Sequence, residues 1–257
     1  MMKAVQRLIV SIGLCVVGCG AADVGAQENP HANLSPSAID DQISKWVEAH
    51  PDLVLKSINA YMASQQPNLL SFLASADVLI DSTLPGVGAK AEQADLTIVE
   101  FSDFNCHYCK EAENAVRTKI QEHKTIRVIY RDLGFLHPSS ELAALAAKAA
   151  DRQGKYHEYR AAVFAGQKQT GFTEDDLRSF AKQVGLDVPR WEADRISEPL
   201  KAGLKADMDL IAKLKVGGTP FFFGWVPSTK YGLISQGAVT DETLEAIIQD
   251  LRNGKAS

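Results

Sequence analysis

Cysteine is scarce in this chain. Its 257 residues include four, and two of them, Cys15 and Cys19, fall near the start. The other two, Cys106 and Cys109, stand three positions apart. So few cysteines build no framework of structural disulfides, and a close pair left alone serves exchange or metal binding. An excess of positive charge is also missing. Lys and Arg total 27 against 32 Asp and Glu, a net charge of -5, and nothing basic recommends nucleic acid as a partner. No apolar run is long enough to cross a bilayer as a mature segment. The length leaves room for one or two domains with a sizeable core.

The N-terminus has the pattern of an export signal. Lys3 and Arg7 precede an apolar run from Leu8 to Val17, of secretory length. A short buried helix is the alternative, and the position and basic flanks speak against it. Two processing sites compete. Val24-Gly25-Ala26 places small residues at the required spacing, which makes residues 1–26 the signal and Gln27 the mature start. Val16-Val17-Gly18-Cys19 resembles a bacterial lipobox, which makes residues 1–18 the signal and leaves Cys19 lipidated, tethering the protein to the envelope. Either cut removes Cys15.

The chain is organised around Ile98 to Lys110. The apolar run Leu96 to Phe101 reads as a buried strand, Ser102 to Asn105 as a turn, and the residues from Cys106 onward as a helix. A Cys-x-x-Cys at the start of a helix places its first thiol against unpaired N–H groups, which favour the thiolate. Cys106 is therefore the expected nucleophile, and Cys109, about one turn along, the thiol that resolves a mixed disulfide. Zinc is the competing use of such a pair. It needs about four ligands, and the sequence offers no second cysteine pair, so no metal is expected here. His31, His50, His123, His137 and His157 form no ligand spacing.

A second stretch, Val216-Gly-Gly-Thr-Pro-Phe-Phe-Phe223, puts a proline at the opening of an apolar strand. The two stretches together resemble the thioredoxin superfamily, and more closely the bacterial DsbA-like thiol-disulfide oxidoreductases, from about Leu84 to the C-terminus. The resemblance implies that Thr219-Pro220 is a cis pair facing the cysteines, and that the backbone before Pro220 binds an extended substrate segment. It also implies that Glu100, six residues before Cys106, is the family's buried acid. Burial would raise its pKa and make it a proton acceptor for Cys109 through water. A strand-end residue reaching solvent is the plainer reading of Glu100. The family usually has Pro after the first cysteine. This chain has His107 and then Tyr108, expected to tune the pair, with an imidazole beside Cys106 favouring thiolate.

The remaining elements follow in order. Ser37 to about Gln66 reads as a helical arm, with a helix start at Ser37-Ala-Ile-Asp40 and an interruption at Pro51. Its run Ile43 to Leu55 resembles the N-terminal segment of ScsC-like relatives, several of which oligomerise through it. The arm is therefore a candidate contact with a second copy of the chain, or else it folds onto its own domain. Pro67 to Gln93 reads as a connector with a weak edge strand. Thr125 to Tyr130 is a strand, completing a βαβ unit. Helices fill about 139–215, and the acidic cluster Glu174-Asp-Asp176 reads as a helix start rather than a metal site. Two strands and a final helix from Thr240 close the chain.

The fold class expected is α/β: a thioredoxin fold at residues 84–257 with an inserted helical domain, preceded by the arm at residues 37–66. The function expected is thiol-disulfide exchange on exported, cysteine-bearing proteins, leaning to isomerase or reductase, with a disulfide-introducing oxidase as the alternative. A non-catalytic envelope protein that holds peptides in the same groove is the competing class. The Cys106–Cys109 disulfide is itself the redox group, without a further cofactor. A membrane redox partner and a periplasmic location are implied with it.

Overall fold

The computed structural model of the protein describes residues 35–254. The signal at 1–26 or 1–18, with Cys19, lies outside the described residues. The described residues divide into two units, with the division between Asn59 and Ala60.

Helix α1 (Pro36–Ala49) is followed directly by α2 (Pro51–Ser64), within which the division falls, and α2 ends two residues before the expected Gln66. Ser35 caps α1 in place of Ser37, its Oγ accepting from the Ala38 N–H at 3.3 Å. Pro36 explains the difference, because proline fits the first helical position, where its missing N–H has no partner to lose. His50 closes α1, its N–H donating to the Val47 carbonyl. Neither helix has a buried residue, and Ile43, Trp46, Leu55 and Ile58 are 50–58% exposed.

The second unit begins its core earlier than expected. The connector contains two short helices, α3 (Leu69–Leu73) and α4 (Ala76–Leu79), before the edge strand β1 (Gly86–Gly88). Phe72 of α3 and Leu79 of α4 are wholly buried, and the Phe72 ring stacks on Phe221 with centroids 5.1 Å apart. The packed body therefore starts before Leu84. Next come β2 (Leu96–Ser102), α5 (His107–Glu122) and β3 (Ile126–Asp132). Five helices follow: α6 (Ser140–Asp151), α7 (Tyr156–Ala165), α8 (Glu174–Gln183), α9 (Val188–Arg195) and α10 (Glu198–Leu214). The hairpin β4 (Phe221–Val226) and β5 (Tyr231–Gln236) leads to α11 (Asp241–Asn253). The acidic cluster forms the first turn of α8 behind a capping box from Thr173 to Asp176, and a second box at Thr240 opens α11.

The sheet has the order β1-β3-β2-β4-β5. Strands β2 and β3 run parallel, and the other neighbours are antiparallel. Every residue of β2 is buried, as a strand covered on both faces requires. Alternation then sorts its side chains. Val99 and Phe101 meet Phe72, Phe221, Phe223, Ile211 and Leu214 on one face. Leu96 and Ile98 meet Cys109, Ala112 and Val116 of α5 with Leu244, Ile248 and Leu251 of α11 on the other. By the same alternation Glu100 shares the face covered by α5, directly beside Tyr130 and Phe222 in the neighbouring strands.

Candidate active site

Strand β2 runs into the turn that carries the cysteines. Cys106 is the N-cap of α5, in extended backbone, and its Sγ accepts the Cys109 N–H at 3.3 Å. A helix start leaves N–H groups without intrahelical partners, so a sulfur in the cap position is stabilised when negatively charged. Asp103 sets the turn. Its Oδ1 accepts the Asn105 N–H at 2.9 Å and the Ser140 hydroxyl at 2.7 Å, and its Oδ2 accepts the N–H groups of Phe135 and Leu136. Gln167, from beyond α7, donates to the carbonyls of Phe104 at 2.8 Å and Cys106 at 2.9 Å.

The two thiols, both unpaired, hold their protons very differently. Cys106 is lowered to about 6, first by the hydrogen bond from the Cys109 thiol, with the N–H groups of Cys109 and Tyr108 adding to the effect and burial opposing it. Cys109 is completely buried, and its thiol is pushed well up. Burial is the main cause, followed by its hydrogen bond to Cys106 and the negative charge of Glu100. The peptide bond Thr219-Pro220 is cis, and the Thr219 carbonyl oxygen lies 3.3 Å from Cys106 Sγ. As a thiol Cys106 can donate to that carbonyl; as a thiolate it keeps the N–H groups of α5.

Glu100 is wholly buried, not at a wet strand end. Burial raises its carboxyl to about 7 against the opposing pull of the Arg160 guanidinium. Its Oε2 has no hydrogen-bond partner. The structure thus gathers Cys106, Cys109, Glu100 and Thr219-Pro220 in one region. It places His107 otherwise. That ring is exposed, and its Nε2 lies 3.2 Å from Glu111 Oε1, one helical turn along α5, rather than on Cys106. Tyr108 is also exposed and acts on Cys106 through its backbone N–H, not its ring. The Cys106 shift therefore comes from Cys109 and from the helix start, as the position of the cysteine pair implied, and not from the imidazole that the sequence also suggested. Among the described residues, the one group with metal-ligand proximity is Glu122, His123 and Glu245, on α5, its C-cap and α11 and away from the cysteines. The Lys119 ammonium already lies 2.6 Å from Glu122 and 3.2 Å from Glu245.

Three residues of the site were not singled out in the sequence: Asp103, Gln167 and Arg160. Asp103 had a local signal, an Asp two residues before Asn105 in a polar turn, which is the pattern of an Asx turn. Arg160 had one too. It sits four residues after Tyr156 and four before Phe164, so the apolar stripe of α7 carries a charge in its middle. Gln167 had none.

Alkylation of the reduced protein by iodoacetamide should report this division of protons. The rate at Cys106 is expected to rise with pH through a midpoint near 6 and then level off, because the thiolate is the reactive form. Cys109 should stay unmodified across the same range. A midpoint at the free-thiol value of about 8.5 would remove the thiolate from the account.

Comparison with known proteins agrees with this geometry. Residues 97–249 match the DsbA-like thioredoxin domain. A thioredoxin-like oxidoreductase from Silicibacter pomeroyi superposes with a TM-score of 0.61 at 30% identity, over 70% of this chain and 98% of that one. ScsC from Proteus mirabilis shares the fold, with a TM-score of 0.61 at 21% identity over 87% of this chain and 99% of its own. A Na+/H+ antiporter, NhaA 3 of Salinispora tropica, is 34% identical over 134 residues, which are 51% of this chain and 20% of the antiporter. The chain thus spans about a fifth of that relative's length. With the fold, the cysteine turn and the matched span in agreement, the chain belongs to the DsbA-like thioredoxin-domain family.

Proposed function

We propose that the protein exchanges disulfides in exported, cysteine-bearing proteins, with Cys106 as nucleophile and Cys109 as resolving thiol. The observation that carries this is the opposite proton affinity of two thiols three residues apart: one lowered to about 6, the other pushed up by burial. Near neutral pH the pair therefore holds one thiolate and one thiol. In reduction, the Cys106 thiolate attacks a client disulfide, forming a Cys106–client bond and releasing the client's other sulfur as thiolate. Cys109 then loses its proton and attacks Cys106, forming the Cys106–Cys109 disulfide and releasing the second client thiolate. Two electrons pass from the pair to the client, and solvent supplies the remaining proton. Oxidation is the same path reversed, and the pair needs no other cofactor.

The client segment is placed along Thr219. A backbone edge beside the sulfur suits an extended peptide, which pairs like an added strand. The direction leans to isomerase or reductase, on Thr219 before Pro220 and on the arm. A disulfide-introducing oxidase is the second reading, and the low Cys106 pKa favours it, because a stabilised thiolate makes the disulfide more oxidising. A membrane protein that resets the pair belongs to either reading. The location proposed is the periplasm, free after loss of residues 1–26 or tethered through a lipidated Cys19. Among the described residues no helix is long and apolar enough to cross a membrane.

Reduction of insulin by dithiothreitol separates exchange from mere peptide holding. The wild-type protein should accelerate it and Cys106→Ala should not, while Cys109→Ala should accumulate mixed disulfides through Cys106. Equal rates for wild type and Cys106→Ala would leave only the peptide-holding reading.

The arm is assigned to contact with another copy of the chain. Leaving the faces of Ile43, Trp46, Leu55 and Ile58 in water forgoes about 25 cal/mol for each Å² of apolar surface. Light scattering of the mature protein should give a mass above the monomer, and Ile43→Asp with Ile58→Asp should return it to the monomer with insulin reduction intact. A wild-type monomer at micromolar concentration would remove the oligomer and, with it, the arm's part in the isomerase lean.

A further inference from the structure

Arg160 sits inside the protein with no exposed surface, and its guanidinium serves three carboxylates. Nη2 donates to Glu100 Oε1 at 3.0 Å and to the Ser102 hydroxyl at 3.2 Å. Nε donates to Glu113 Oε2 at 2.7 Å, and Nη1 to Asp132 Oδ1 at 2.7 Å. Its plane covers the Tyr130 ring, 3.9 Å from the centroid. One positive charge does not balance three carboxylates away from water, so at least one of them must take up a proton or find other partners.

The other partners are shared unequally. Glu113 also pairs with Arg117 at 3.3 Å. Asp132 accepts the Tyr156 hydroxyl at 2.5 Å and lies in the field of Lys148. Glu100 is paired with Arg160 alone, through Oε1, and its Oε2 is buried and unpartnered. Its strand face is the one packed against Cys109. The groups facing it are Ser102 on its own strand, Tyr130 and Asp132 from β3, Cys109 and Glu113 from α5, and Arg160 from α7. From β4 it meets only the Phe222 ring position.

We propose that Arg160 is a positioning residue for the proton that Cys109 must lose: it grips Glu100 by Oε1 and leaves Oε2 as the acceptor. This rests on reading Cys106 and Cys109 as an exchange pair. In the mixed disulfide, the Cys109 S–H proton passes to Glu100 Oε2, directly or through water. The Cys109 thiolate attacks Cys106, the Cys106–Cys109 bond forms, and the bond from Cys106 to the client sulfur breaks with its electron pair going to the client. Glu100 afterwards returns the proton to solvent. Arg160 belongs to an inserted helix, whereas Glu100 and the cysteines belong to the thioredoxin core. How α7 seats therefore acts on the pH at which the resolving step runs.

The test is the rate at which a Cys106–glutathione mixed disulfide closes to Cys106–Cys109, read against pH by acid quench and mass. Wild type should show a step in rate near neutral pH, and Glu100→Gln should abolish it. Arg160→Lys keeps the charge but not the fork, and should move the step upward by about one pH unit, within the range expected for a weakened opposite charge. Glu113→Gln removes a like charge and should move the step downward. It keeps Arg160 in place, so it decides the matter if Arg160→Lys does not fold. Opposite movements in these two variants, each with native unfolding midpoints, support the proposal. A step unmoved in the folded variants, or one that survives Glu100→Gln, overturns it. A wild-type mixed disulfide that never closes would instead overturn the exchange reading itself.

Discussion

A helix must begin somewhere, and its first N–H groups need acceptors. In α5 one of those acceptors is the sulfur of Cys106, and the rest of the site depends on that contact. The sulfur is useful there only if the turn before it is rigid, because a loose cap would trade the N–H groups for water. Asp103 provides the rigidity from the turn itself, with four hydrogen bonds to its two oxygens. Gln167 provides it from outside by holding the carbonyls of Phe104 and Cys106. Thr219 closes the other side of the sulfur. Cys106 is left poised between a helix that favours its anion and a carbonyl that favours its thiol.

The inserted helices are therefore part of the site and not an appendage to it. They contribute Arg160 of α7 to Glu100, Gln167 just beyond it to the Cys106 carbonyl, and Ser140 at the start of α6 to Asp103. The buried charges around Arg160 are a costly way to join two layers. Removing one partner of such a set leaves uncompensated charge and costs about 3–5 kcal/mol, whereas an apolar replacement of the whole set is often neutral. Tyr130, Phe104 and Phe164 around the guanidinium keep water away from it, which raises that cost further. A group of this kind persists where it has a task, and here it borders the buried Cys109.

What was legible in the sequence was what is local. The apolar run of β2, the cysteines at the start of α5, the Thr240 cap of α11 and the β4–β5 hairpin each carry their signal within a few residues. Thr219-Pro220 and Glu100 were reached through the family resemblance. What was hidden depends on distance along the chain. Arg160 meets Glu100 across 60 positions and Gln167 meets Cys106 across 61; the stripe of α7 marks Arg160 as buried but does not name its partner, and nothing local marks Gln167. Helices α3 and α4 were hidden for another reason. At five and four residues they are too short to show a helical period, yet Phe72 fills the sheet face against Phe221. His107 shows the reverse failure. Its position suggested a partner for Cys106, but α5 turns the ring outward to Glu111.

The central claim is that the structure stores its preference for thiolate at Cys106 and thereby sets the poise of the pair. The reduction potential of Cys106–Cys109 in the mature protein, measured at equilibrium against glutathione, tests it most directly. Stabilising the reduced form makes the disulfide more oxidising. With Cys106 at about 6, between the thiolate of thioredoxin and that of DsbA, the potential should fall between about -270 and -120 mV as a single two-electron couple. A potential at or below about -270 mV, or a pair that does not equilibrate as one couple, would contradict the account.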